Sequence, residues 1–220
     1  MARRIALLGA ESTGKTTLAR ELAADLRGRG LEAVAVGEVL REWCVRAGRT
    51  PQPDEQLAIA EEQERRVDEA GAQAEIVIAD TTALMVAIYA GMLFEDGALY
   101  RFAIARQRTY AATLLTGLDV AWSPDGLQRD AAQPREPVDA LVRAHLQRSG
   151  VAFQVVYGQG PQRLRSALQA LAAAGVLPEA VRPADGEETG SSKPWVWVCE
   201  KCSDPACEHR LFRGLREPPG

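Results

Sequence analysis

The sequence has no apolar run near the ~18 residues that a membrane-spanning helix requires. Its greasiest stretch, 83–94, is short, broken by Gly91, and reads as a buried helix. An excess of one charge is also missing: 26 basic against 30 acidic residues leave a net charge of −4. That balance offers no general attraction to nucleic acid or to an anionic lipid surface. Cysteine is scarce, with 4 in 220 residues; Cys44 stands alone in the main body, and Cys199, Cys202 and Cys207 crowd the end of the chain. This distribution excludes a disulfide scaffold and suits a reducing compartment. The opening residues superficially look like a signal peptide. Their apolar run is only Ile5 to Leu8, shorter than the ~7 residues of an h-region, and Glu11 and Lys15 follow at once. They read instead as the first strand of a cytoplasmic protein. No internal repeat of solenoid period is present.

What is there is the composition of an ordinary globular protein, 46% apolar and 25% charged. A length of 220 residues fits one large domain with a small appendage. Apolar runs alternate with helical patterns. Strands are expected at 4–8, 33–36, 75–79, 113–118 and 152–157. Helices are expected at 15–27, 38–47, 54–73 with Asp54 as cap, 82–94, 99–110, around Val138 to Leu146, and from Pro161 onward. The pairs Glu61–Arg65 and Glu62–Arg66 have the spacing that supports the third helix. His145 reads as a packing residue and Cys44 as a buried thiol. Strand–helix alternation predicts an α/β fold, a doubly wound parallel sheet with helices on both faces. The expected organisation is a main domain over 1–175, a Pro- and Gly-interrupted linker over 176–192, and a compact tail over 193–220.

The sharpest signal is Gly9-Ala-Glu-Ser-Thr-Gly-Lys-Thr16, a full G-x-x-x-x-G-K-[ST] phosphate loop with a strand before it and an amphipathic helix after it. Gly9 and Gly14 let the backbone curl so that successive N–H groups converge on one anion. Glu11, Ser12, Thr13 and Thr17 complete the candidate nucleotide contacts, and the helix N-terminus adds partial positive charge. Lys15 is suited to reach the β- and γ-phosphates of ATP, and the Thr16 hydroxyl to ligate Mg²⁺. Asp80 ends a hydrophobic strand, where such an acid orients the Mg²⁺ shell; it could equally cap the next helix. For transfer to a hydroxyl, Asp80 or Glu38 is the natural proton acceptor, and the residues do not choose between them. The polar loop 119–137 is long enough to close over a site. Within it Arg129 and Arg135 could stabilise charge on a transferred phosphoryl group, or could be solvated surface residues.

These residues resemble the nicotinamide riboside kinase domain of NadR-type proteins, over about residues 3–175. The features that carry the resemblance are the phosphate loop with Glu11, Gly37-Glu38-Val-Leu-Arg41-Glu42-Trp43, and the strand ending in Asp80-Thr-Thr. The most specific is Asp119-Val-Ala-Trp122-Ser-Pro-Asp125-Gly126, leading into Arg129. The resemblance implies ATP-dependent transfer to the 5′-hydroxyl of nicotinamide riboside. It implies that Glu38 and Arg41 lie near the acceptor, with Trp43, Trp122 and Asp125 as further candidate contacts, and that 119–135 forms a lid. It also implies that Gly158, Gln159 and Arg163 pass near the adenine, although a simple turn explains them as well. The chain departs from the family in two places: Gly126 to Arg129 is one residue longer than the family's Gly-x-Arg, and Trp43 stands where Tyr is usual. NadR-type proteins also carry a DNA-binding segment and an adenylyltransferase domain, neither of which is expected here.

Outside the resemblance, Cys199-x₂-Cys202-x₄-Cys207-x-His209 offers four soft ligands, enough to close a tetrahedral Zn²⁺ shell. So short a segment cannot build a core, and metal would be its main source of order. Trp195 and Trp197 alternate with valines and would share one face of a strand. The tail is a candidate for structure, partner binding or self-association.

Three readings follow. The first is a small-molecule kinase with a zinc knuckle. The second is a partner-regulated ATPase or nucleotide switch, which needs no acceptor pocket beside the γ-phosphate. The third is a zinc-dependent nucleic-acid module, disfavoured by the charge balance.

Overall fold

The computed structural model describes residues 2–91, 97–121 and 135–178. Five strands, β1 (Arg3–Leu8), β2 (Ala33–Val36), β3 (Ile76–Asp80), β4 (Ala112–Thr116) and β5 (Gln154–Val156), form one sheet in the order β2-β3-β1-β4-β5. Every pairing is parallel. A parallel neighbour needs a long crossover, which the helices supply. They are α1 (Lys15–Gly28), α2 (Val39–Ala47), α3 (Pro53–Gly71), α4 (Ala83–Gly91), α5 (Gly97–Gln107), α6 (Arg135–Arg148) and α7 (Gly160–Ala173). No helix among the described residues is long and apolar enough to cross a membrane.

Successive side chains of a strand point to opposite faces, so each central strand feeds two cores. Ile5 and Leu7 pack with Leu18, Leu22 and Leu26 of α1 and Leu168 and Leu171 of α7. Leu8 and Leu115 pack with α4, α5 and α6 through Leu84, Met85, Leu99, Val142 and Leu146. Ala6, Val77 and Ala79 close against Val67 of α3. The doubly wound arrangement expected from the alternation is thus present. Cys44 is buried as anticipated, and burial pushes its thiol pKa up. The Cys199–His209 segment lies outside the described residues.

Local details differ from the expectations. Pro53, not Asp54, opens α3. Gln52 is its cap, in a reciprocal box with Glu55, and Pro53 at the first helical position has a φ already suited to a helix start. Arg65 does not pair with Glu61. Its planar fork takes both carboxylate oxygens of Glu62 at 2.6 and 2.8 Å and also reaches Glu69, a bidentate geometry that wins over a single contact. The Glu62–Arg66 pair forms at 2.8 Å. Arg135 begins α6 rather than lying in the preceding loop. Beyond α7, Val176 and Leu177 are buried in the α1–α7 core, and the Val176 carbonyl accepts a bond from Arg3.

Candidate functional site

The C-terminal ends of the parallel strands converge on the loop between β1 and α1. Gly9 has φ 146°, and a Cβ there would lie 2.1 Å from the Thr116 Oγ1, so only glycine fits. Gly14 has φ 76° and caps α1. Ser12 takes φ 52° without being glycine, a sparsely populated conformation typical of tight functional turns. The loop is laced from within. Thr13 Oγ1 donates to the Ala10 carbonyl at 2.8 Å and lies 2.7 Å from Thr116 Oγ1. Thr116 Oγ1 in turn donates to the Leu8 carbonyl. Sequence gave no sign of Thr116, because a threonine ending a strand has many uses.

Lys15 Nζ donates to the Ala10 carbonyl at 2.8 Å, so the ammonium folds back over its own loop. Burial pulls its pKa down, opposed by the negative charges of Glu38, Asp80 and Glu11. Thr16 Oγ1 donates to Asp80 Oδ2 at 2.5 Å. The other oxygen, Asp80 Oδ1, is buried with no hydrogen-bond partner among the described residues. Burial pushes the Asp80 carboxyl up, and the Glu38 charge adds to the effect. Thr81, directly after it, holds φ 69°. For a β-branched residue this is a strained backbone, fixed by the bond from its N–H to the Leu7 carbonyl.

One strand further out, Glu38 precedes α2 and accepts from Arg41 at 2.9 and 3.0 Å. Gln63 of α3 holds this corner from below. Its Oε1 accepts from the Val39 N–H at 2.9 Å and its Nε2 donates to the Gly37 carbonyl at 3.2 Å. Trp43 packs on the core that includes α3 and α4, with the Arg49 guanidinium over its ring at 4.9 Å.

On the other flank, Arg163 of α7 is only 4% exposed. Its guanidinium donates to the Thr13 carbonyl at 2.6 Å and the Gly117 carbonyl at 3.1 Å. It is therefore engaged with the protein backbone and is not an open adenine contact. Its position on the apolar stripe of α7 with Ala167 and Leu171 was the available signal. Arg135 donates to the carbonyls of Val120 and Leu118, which ties the start of α6 to the segment after β4. Trp122, Asp125 and Arg129 lie outside the described residues.

The structure therefore brings Gly9, Thr13, Gly14, Lys15, Thr16, Asp80, Glu38 and Arg41 to one edge of the sheet. A family model described as "AAA domain" matches residues 4–163, well over half of the chain. The chain belongs to the AAA domain family. The match runs from the first strand through Arg163, so the whole strand-end cluster lies inside the AAA domain. Two solved structures are similar in fold. One is a NadR protein in complex with NAD and AMP-PNP, at a TM-score of 0.61 and 19% identity, covering 81% of this chain and 51% of that one. The other is a NadR protein in complex with NR, at a TM-score of 0.62 and 18% identity, covering 80% and 52%. The AAA domain chain thus spans about half the length of these NadR chains. No curated protein matches it.

Proposed function

We propose that this chain is an ATP-dependent small-molecule kinase that transfers the γ-phosphoryl group to the 5′-hydroxyl of nicotinamide riboside, giving nicotinamide mononucleotide. The observation that carries the reading is the Thr16–Asp80 pair beside Lys15, with a second polar corner, Glu38–Arg41, next to it. A phosphate loop alone serves any nucleotide-binding protein. A second corner next to the γ-phosphate end is what a kinase needs for its acceptor. The acceptor itself is suggested by the NR-bound NadR structure of similar fold.

The chain's residues divide the work. The Lys15 ammonium exchanges the Ala10 carbonyl for β- and γ-phosphate oxygens, and the loop N–H groups hold the rest of the triphosphate. The Thr16 hydroxyl and the unpartnered Asp80 Oδ1 are hard oxygen donors that fit Mg²⁺. When bound there, Mg²⁺ would neutralise charge between the β- and γ-phosphates. Glu38 or Asp80 orients the acceptor hydroxyl and takes its proton as the new P–O bond forms and the bond from the γ-phosphorus to ADP breaks. Arg41, Trp43, Trp122 and Asp125 are the remaining candidate acceptor contacts, and Arg129 and Arg135 the candidate lid charges. Such an enzyme would work in the cytoplasm, where ATP and nucleosides meet. We also assign Cys199, Cys202, Cys207 and His209 as a structural Zn²⁺ site in the tail. Purified protein should then carry about one zinc per chain, lost in Cys202→Ser; zinc-free protein would refute that assignment.

The deciding experiment follows ADP release from MgATP with a panel of nucleosides, Lys15→Ala serving as control. Release stimulated by nicotinamide riboside and absent in the variant supports the kinase. Slow release indifferent to every nucleoside overturns it in favour of a partner-regulated ATPase.

A further inference from the structure

The groups suited to the γ-phosphate lie on one side of β1. Lys15 and Thr16 face Asp80 at the end of β3, and Glu38–Arg41 stand at the end of β2, one strand further out. A triphosphate with its γ end there must lead its nucleoside end the other way, over the ends of β4 and β5. Thr116 Oγ1 links the end of β4 to Thr13 of the phosphate loop; Arg163 links that loop to β5 as well. Arg163 donates to Thr13 in the phosphate loop at 2.6 Å, to Gly117 after β4 at 3.1 Å and to Val156 at the end of β5 at 3.5 Å. It also meets Asp119 Oδ1 at 3.3 Å. Asp119 in turn accepts from the Gly158 N–H at 2.6 Å through its other oxygen. The Asp119 carboxylate thereby fixes both the guanidinium and the turn into α7.

We propose that Arg163, held by Asp119, is a positioning residue that sets the phosphate loop against the loops following β4 and β5. Through it, phosphate binding depends on engagement of the nucleoside end. A planar fork spreads fixed donors over carbonyls on three separate elements; an ammonium carries its three donors on one atom at the end of a flexible stem and holds such a spread less rigidly. The guanidinium is buried, with Nη1 and Nη2 engaged by backbone carbonyls and Asp119 and with Nε unpartnered among the described residues, so it presents no open face to a ligand. Its action must pass through the loops it holds. A ligand that presses on the β4 and β5 loops acts on the Thr13 carbonyl through one rigid group. A ligand consisting of phosphates alone does not.

The proposal rests on ATP being the donor in the reading above, not on the identity of the acceptor. Its test is calorimetric titration of the full chain with MgATP and with magnesium tripolyphosphate, for wild type, Asp119→Ala and Arg163→Lys, alongside thermal melts. Asp119→Ala is expected to weaken ATP about tenfold, the effect of losing a charged hydrogen bond. Tripolyphosphate should change by less than about twofold. Arg163→Lys should skew the ratio in the same direction. Equal weakening of both ligands together with a lowered Tm would make the pair merely structural and overturn the proposal, as would no change in either. Asp119 is about a third exposed, so its variant should fold even if the Arg163 variant does not. A wild-type chain that binds MgATP but responds to no nucleoside would overturn the kinase reading and leave this ratio intact. One that binds neither ligand would overturn both.

Discussion

At Gly9, a missing side chain is what allows the phosphate loop to close: the Thr116 hydroxyl occupies the space a Cβ would need. Gly9→Ala is therefore expected to destabilise the protein by more than about 1 kcal/mol, because clash and a disallowed φ add. Urea unfolding checks this, and ATP binding should fail with it. Residues whose chemistry is tied to a fixed spacing were legible in the sequence, as Gly9, Lys15 and Thr16 show. Residues recruited by three-dimensional proximity were not. Thr116 is far from Thr13 in the chain, and the strain at Thr81 depends on its bond to Leu7. His145, a packing residue by its sequence position, also meets Tyr100, its Nδ1 lying 2.9 Å from the phenol oxygen. Burial, then the Arg148 charge, holds its pKa below the usual value. The folded chain thus takes up this proton less readily than the unfolded one, and stability should fall as the pH drops through the unfolded histidine value near 6.5. His145→Asn should flatten that decline, as read from Tm between neutral and mildly acidic pH.

Between elements, Gln63 shows how one helix positions the working end of another. The amide accepts from the first N–H of α2 and donates to the carbonyl before Glu38. Gln63→Leu strands both groups and should cost about 1–3 kcal/mol. Under the proposed function it should impair kcat and the acceptor KM while leaving the KM for ATP nearly unchanged, since it shifts Glu38 and Arg41 but leaves Lys15 and Asp80 in place. Steady-state kinetics separates these effects. Helices were readable because their apolar positions recur, as Leu18, Leu22 and Leu26 do. Their ends were less so. The start of α3 depends on a reciprocal bond between Gln52 and Glu55 that competes with the plausible cap Asp54. Gln63 shares the buried stripe of α3 with Ile59 and Val67, but that spacing marks only a buried position and says nothing of which backbone groups the amide serves.

Over the whole molecule, the alternation of strands and helices was enough to expect a parallel sheet, since no short turn can join parallel neighbours. The order β2-β3-β1-β4-β5 was not readable, because which apolar strand lies beside which is settled by packing between distant segments. If ATP binds only the folded chain, MgATP at about one hundred times its Kd should add about 2.7 kcal/mol of stability. A rise in Tm checks this, and Lys15→Ala should abolish most of it.

The sheet order also separates the flanks, with Asp80 and Glu38 to one side of β1 and Gly117, Asp119 and Gly158 to the other. For the proposed kinase, donor and acceptor then meet head-on above the central strand, and neither has to leave before the other arrives. Initial-velocity plots against both substrates should intersect. Parallel lines would mean that the phosphoryl group rests on the protein between two visits, which this arrangement of flanks makes unnecessary.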